Sequence, residues 1–313
     1  MKILFAVFGI TAFCMVPALA AERKVKFEPP EGKVLLFVGQ DTATIEAYIK
    51  NIGSVPAGFM TYTSIQKLDG LDSESQDYGC GAMFAGYLVQ KYPGTCLQIG
   101  LYEVDALKDI CAGKYDKNIE KLAKWLKTVD KPVFLRIGYE FDGPHNHYDP
   151  EDYKAAYRYL VDRLRRAGVE NTAFVWHSYA GPASKTIDRW YPGDGYVDWV
   201  GISYFGQPKG YMAYPAAFAK EHGKPLMTAE STPQGSGTTH GKASWNLWFR
   251  DFFKFASDNN VKAISYINSN WEEMPMWQGQ GWGECAVQND EFILSAWKNE
   301  ISKDKYLKQG ALR

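Results

Sequence analysis

The chain has 313 residues, 46% of them hydrophobic and 23% charged, with a formal net charge of -1. That length buries a large core, as one barrel-sized domain or two smaller ones, and near-neutrality removes the broad basic field that nucleic acid or an anionic membrane surface would need. Neither is expected as a partner. Aromatic residues are in excess at 15%, with 10 Trp and 20 Tyr; large rings with polar handles suit cores and also flat apolar ligands such as sugar rings.

Residues 1–20 read as a secretory signal peptide: Lys2, the apolar run "ILFAVFGITAFCMVPA", then the small-x-small Ala18-Leu19-Ala20. The "TAFC" around Cys14 fits a lipoprotein cleavage site poorly. No later stretch is long and apolar enough to span a bilayer, so a secreted or periplasmic mature chain is expected. In that oxidising compartment Cys80, Cys96, Cys111 and Cys285 allow three pairings, and a bridge among the first three is favoured. They lack the close paired spacing of a zinc site.

From there apolar runs alternate with 3.6-period segments. Strand "KVLLFVGQ" (33–40) precedes helix "DTATIEAYIKNIG". Strands "AGFMTYTS" (57–64) and "TCLQIGLY" (95–102) follow, then helix "NIEKLAKWLKTV". Strand "PVFLRIGYE" (132–140) leads through Asp149-Pro150-Glu151, a good helix start, into "PEDYKAAYRYLVDRLRRAG". Next come strands "NTAFVWHS" (171–178) and "VDWVGISYF" (197–205), helix "YPAAFAKEHG", strand "KPLMTAEST" (224–232), helix "WNLWFRDFFKFASDNN" and strand "VKAISYINSN" (261–270). Eight runs too apolar for a half-exposed sheet, covered by helices, argue for parallel strands. The economical closure is a (β/α)8 TIM barrel, one catalytic domain over residues 21–313. A doubly wound sheet would carry a glycine-rich phosphate loop after its first strand, where this chain has "FVGQDTAT".

In such a barrel the chemistry gathers at the C-terminal strand ends. Glu140 ends strand 4 and Glu230, in "PLMTAESTPQG", ends strand 7, on opposing sides of the mouth. Two carboxylates about 5 Å apart are what retaining glycoside hydrolysis uses, one as nucleophile and one as acid then base. Like charges that close also keep one of them protonated near neutral pH. Rim salt bridges are the plainer alternative, weaker for two acids at such ends than for one. Tyr204, ending strand 6, is expected to hold Glu230 through its hydroxyl, with a core tyrosine as the alternative. Of Trp176 and His177 only one can face the cavity, and His177 is chosen. Trp271, after strand 8, is expected to floor a sugar subsite. Gln40 and Asp41 end strand 1, Asp41 alternatively capping the next helix. Arg136, inside the barrel, needs a carboxylate partner and is expected to orient the nucleophile.

Four segments, "FLRIGYEFDGPHN", "YPGDGYVDWVGISYF", "KPLMTAESTPQ" and "YINSNWEEMPMW", are similar to glycoside hydrolase family 26, over a span from about Gly39 to Trp277. The resemblance implies Glu140 as acid/base, Glu230 as nucleophile, double displacement on a polysaccharide, and no metal or organic cofactor. Where the β-mannanases of the family place His before the acid/base, this chain has Tyr139. The patterns "YE-x-DGP-x-N" and "ESTPQ" resemble the endo-β-1,3-xylanase branch, and Tyr139, Asp142 and Asn146 within the first are counted among the substrate-binding residues. The chain departs from that branch at His145, where Trp is expected, and at His177, where Gln is expected. His145 and His147, with no third nearby His, make a poor metal pair. β-1,3-Xylan is the first choice of substrate, with mannan, β-1,4-xylan and mixed β-glucan behind it. No appended carbohydrate-binding module is expected, since the chain ends soon after its eighth helix, and a monomer is expected. A non-catalytic carbohydrate-binding barrel would keep Trp271 without needing both acids. An acyl- or phosphoryl-transfer enzyme would show a GxSxG, Walker loop or Ser/His elbow, none of which occurs.

Overall fold

The computed structural model describes residues 25–312, so the expected signal peptide lies outside the described residues. Eight parallel strands form the ring: β1 (Val34–Gly39), β2 (Gly58–Ser64), β3 (Cys96–Tyr102), β4 (Val133–Ile137), β5 (Thr172–Ser178), β6 (Trp199–Tyr204), β7 (Leu226–Ser231) and β8 (Ala263–Ile267). They neighbour one another in chain order, β8 pairs with β1 and β1 with β2, so the sheet closes into the expected (β/α)8 barrel. A short β9 (Tyr306–Leu307) adds beside the start of β1.

Around the ring run α1 (Thr42–Ile52), α2 (Ala85–Lys91), α3 (Leu107–Cys111), α4 (Asp116–Leu126), α5 (Pro150–Arg166), α6 (Ala213–Glu221), α7 (Lys242–Ser244), α8 (Arg250–Asp258) and α9 (Glu291–Ile301). The helix expected over 245–260 is interrupted: a π-helical turn at Trp245–Phe249 joins α7 to α8. The short α2 and α3, and the 3-10 run Pro182–Trp190, arise where no periodic segment was legible. Asp41 does cap α1, accepting from the Thr44 N–H at 3.0 Å. Asp149 caps α5 just ahead of Pro150.

The two-residue pleat of each strand decides what reaches the barrel interior. Along β4, Phe134 and Arg136 point inward while Val133, Leu135 and Ile137 join the layer between barrel and helices. Along β5 the inward set is Ala173, Val175 and His177, and Trp176 faces the helices. The lower interior is filled by Leu35, Phe37, Phe134, Val175, Trp199 and Met227, so the barrel is a packed core below and a polar chamber above. β7 would turn Glu230 outward if it kept strict alternation after Met227 and Ala229. A register shift between β6 and β7 pairs Ser203 with Glu230 and returns the acid to the chamber.

Two expected boundaries move. β4 ends at Ile137 rather than at residue 140, because Gly138 takes a left-handed φ of 50° that breaks the ladder. β8 ends at Ile267 rather than at residue 270. The expected disulfide is absent: Cys80, Cys96, Cys111 and Cys285 are all free thiols. Cys96 is buried in the barrel interior on β3, Cys111 is exposed at the end of α3, Cys285 is buried with its thiol turned to the Trp282 and Gly283 carbonyls, and Cys80 sits in the loop before α2.

Candidate active site

Arg136 is fully buried and its Nη1 bonds Glu230 Oε1. The guanidinium lies 4.8 Å from the Tyr62 ring centre and 5.3 Å from that of Tyr139, two rings that meet edge to face. Burial pushes the Glu230 carboxyl above its ordinary range and the nearby Glu140 adds to the rise, while the Arg136 charge and the Tyr62 hydroxyl oppose it. A guanidinium stays charged at any accessible pH, so the cation fixed on Glu230 keeps the carboxylate form within reach despite the burial.

The same Nη1 lies 3.3 Å from His177 Nδ1, whose ring is fully buried. Arginine only donates, so Nδ1 accepts and the imidazole proton sits on Nε2. That Nε2 is 3.0 Å from Ser203 Oγ, and it donates there. The serine hydroxyl then has its own proton free, and donates it to Glu140 Oε1. Burial, then the Arg136 charge, push His177 well below the usual imidazole range, which keeps it neutral and the donor order intact. A polarised chain therefore runs from the cation that neutralises Glu230 through His177 and Ser203 to Glu140, and every donor in it points toward Glu140.

The loop after β4 aims the second acid. Glu140 has a left-handed φ of 52°, unusual for a residue with a side chain. Asn146 holds it there, its amide donating to the carbonyls of Tyr139 at 2.8 Å and Glu140 at 3.2 Å. Asp142 accepts from Ser178 Oγ at 2.8 Å and from the Tyr179 N–H at 2.6 Å, tying the loop to the end of β5. Burial raises the Asp142 carboxyl to about 6, against those hydrogen bonds. Asp142 and Asn146, expected to meet substrate, are thus spent on bracing the backbone of the acid loop. His145, noted as a departure, folds back so that Nε2 lies 2.7 Å from Glu140 Oε2, with its ring edge-on to Tyr179.

Tyr204 does not hold Glu230. It follows inward-facing Ser203 on the pleat, so it points to the helices and packs among Trp248, Phe252 and Phe255. Tyr62, from β2, is the tyrosine of this chamber: its ring packs on the Arg136 guanidinium and its hydroxyl lowers the Glu230 carboxyl; counting the pleat from Gly58 through Met60 finds it. Ser203 carries no sequence signal of its own beyond its place two residues after Gly201. Trp271 follows β8 as expected, but its indole is buried under Trp277, 5.0 Å away and nearly parallel, with Trp282 edge-on at 4.5 Å. The half-exposed rings at that wall belong to Trp277 and Trp282. Gln40 is buried beyond the end of β1, its amide donating to the Cys80 carbonyl at 3.3 Å. Among the described residues no cluster of three or more His, Cys, Asp or Glu side chains is arranged for a metal ion, and no helix is long and apolar enough to cross a membrane.

A closed parallel barrel whose mouth joins one acid after β4 to a second on β7 defines a glycoside hydrolase architecture. The description Glycosyl hydrolase family 26 matches residues 102–273, and the chain belongs to that family. It is 33% identical over 324 residues to a β-1,3-xylanase of a Vibrio species, covering 94% of this chain and 70% of that protein. A β-1,3-xylanase of an Alcaligenes species is also 33% identical, over 90% of this chain and 66% of its own length. Among solved structures, a β-mannanase of the family from Bacteroides ovatus superposes with a TM-score of 0.64 at 15% identity, over 89% of this chain and 91% of its own, a likeness of fold.

Proposed function

We propose that the protein is a secreted, monomeric, retaining endo-β-glycanase acting on β-1,3-xylan. The observation that carries the catalytic part is the connection between the two acids: Glu230 is paired with Arg136, and Glu140 is reached from the same guanidinium through His177 and Ser203. Glu230, held as a carboxylate, attacks the anomeric carbon while Glu140 gives its proton to the departing glycosidic oxygen. Glu140 then takes a proton from water, which opens the glycosyl-enzyme with overall retention. Every atom the reaction needs is on these side chains, the sugar and water. The choice of β-1,3-xylan rests on the two xylanase relatives, and export on the leader-like residues 1–20.

Glu230→Ala tests the nucleophile. Hydrolysis of the best substrate in a panel of β-1,3-xylan, β-1,4-xylan, mannan and mixed β-glucan should fall by several orders of magnitude, and azide should restore part of it with inverted anomeric configuration. Near-normal turnover would remove Glu230 from that role. Product analysis on the same panel tests the sugar, and preference for mannan would replace the xylan reading.

A further inference from the structure

We propose that His145 is a positioning residue for the acid/base: it shares one proton with Glu140 Oε2 and keeps that proton on the pair as the pH rises through the neutral range. The inference rests on the glycosidase reading of Glu140 and Glu230. Its geometric basis is the polarity of the chain through Ser203. Oε1 of Glu140 accepts from the serine hydroxyl, so the transferable proton belongs on Oε2. Among the described residues, the one side-chain nitrogen bonded to Oε2 is His145 Nε2, at 2.7 Å. A contact that short between an imidazole nitrogen and a carboxyl oxygen requires a proton between them, on one atom or the other.

The fold makes room for this contact. A Cβ at Gly143 would stand 2.6 Å from His145 Cε1 and 3.0 Å from Nε2, so the absence of a side chain there lets the imidazole close over Glu140. About half of the His145 side chain remains open to solvent, which lets the pair exchange protons with water. The carboxylates around it favour the extra proton. The hydrogen bond to Glu140 raises His145 above the usual imidazole range; burial opposes this, and the charges of Glu140, of Glu230 on β7 and of Asp142 on its own loop reinforce it. From β5 it faces neutral His177 and, just beyond the strand, the edge of Tyr179. Arg136 of β4 is bonded to Glu230 and to His177 on the far side of this group.

Two groups that share a proton titrate as a pair. Activity then follows the one-proton form, whichever atom holds the proton at a given instant, and the alkaline limb of kcat/KM reports its loss from the pair. The balance over a turnover is closed: the proton passed from Oε2 to the departing oxygen in the first half is replaced by the one taken from water in the second.

The experiment is a pH profile of kcat/KM for the wild type, His145→Gln, Gly143→Ala and Glu140→Ala. It uses the best polysaccharide of the panel and a 2,4-dinitrophenyl glycoside whose leaving group needs no proton. Glutamine keeps an N–H toward Oε2 but cannot titrate. With the polysaccharide, His145→Gln should lower the alkaline limb by about one pH unit or more. Gly143→Ala, which pushes the intact imidazole off Oε2, should move it the same way. With the dinitrophenyl substrate the difference should vanish. In a parallel nitrogen NMR titration, the His145 imidazole should titrate lower in Glu140→Gln than in the wild type. An alkaline limb of His145→Gln that superposes on the wild type overturns the inference, as does a His145 titration indifferent to Glu140→Gln. If Glu140→Ala leaves polysaccharide turnover near normal, the acid/base reading fails and takes this inference with it. If Glu140→Ala is crippled on the polysaccharide and spared on the dinitrophenyl substrate while the His145 profiles coincide, this inference alone fails.

Discussion

Replacing Arg136 with methionine removes the cation from Glu230 while keeping an unbranched side chain of similar reach in the barrel interior. Arg136 is wholly buried and bonded to Glu230, so no solvent charge can substitute for it. A unit charge at about 4 Å in an effective dielectric of about 20 is worth roughly 4 kcal/mol. At about 1.4 kcal/mol per pH unit, its loss raises the acid limb of kcat/KM by roughly three units, since Glu230 is already pushed upward by burial and by Glu140. The alkaline limb, which the proposal above gives to the proton shared by His145 and Glu140, should move much less, so the bell should narrow and its peak collapse. At a pH two units below the displaced limb, kcat/KM should be down about 100-fold. Loss of one partner of a buried pair also costs about 3 to 5 kcal/mol of stability, which makes a thermal melt and a circular dichroism spectrum part of the assay. Arg136→Lys should fall between the two, keeping the charge and losing the second contact, to His177. A folded Arg136→Met whose acid limb has not moved would refute the claim that Arg136 sets the ionisation of Glu230.

Ser203→Ala breaks the chain at its last link and strands the His177 Nε2–H in a buried site, so kcat/KM should fall about tenfold and stability by about 1 to 3 kcal/mol, read from steady-state rates and urea midpoints. Asn146→Ala frees the left-handed Glu140 backbone; kcat/KM on the polysaccharide should drop more than tenfold, against little change in kcat/KM for a dinitrophenyl glycoside, whose departure needs no acid. Glu103 is fully buried with neither carboxyl oxygen bonded, and burial pushes it up to about 8. Its folded value exceeds the unfolded one, so it costs stability progressively as pH rises from about 4.5 to about 8, and Glu103→Gln should flatten the melting temperature over that window. Parallel slopes for the two proteins would show that Glu103 is not the group responsible.

Period and chain order were enough to read the barrel, because eight apolar runs separated by helical segments leave little choice of topology. The same alternation correctly turned Arg136 and His177 inward, one step from Leu135 and Trp176. It is not enough at Tyr204: a place at a strand end suggests the cavity, but the pleat of β6 puts Ser203 inside and Tyr204 among the helices. The register shift that returns Glu230 to the chamber depends on how β6 and β7 pair, which neither strand states alone. Asp142 and Asn146 look like ligands in a string of letters; only the fold brings Ser178, Tyr179 and the loop carbonyls to them. An oxidising compartment, expected from residues 1–20, and an even set of cysteines point to a bridge, yet spacing along the chain carries no distance through space.

The proposed mechanism needs two carboxyls of one cavity in opposite states, and the direction of the hydrogen-bond chain bears on that need. Simple repulsion would protonate one acid without choosing which. Here the two acids are connected unequally: the guanidinium bonds Glu230 itself, and its hydrogen-bond path to Glu140 runs through two neutral groups. Charge is compensated at Glu230, while Glu140 receives a single neutral donor on Oε1 and an imidazole on Oε2. His177 stands at the centre of this asymmetry. Its burial beside Arg136 keeps it uncharged, and a charged imidazole there would have to donate to the arginine that only donates. A residue able to accept from Arg136 and donate to Ser203 is what the position requires. A glutamine amide has that same pair of groups, so the Gln that the family resemblance leads one to expect at this position would keep the polarity.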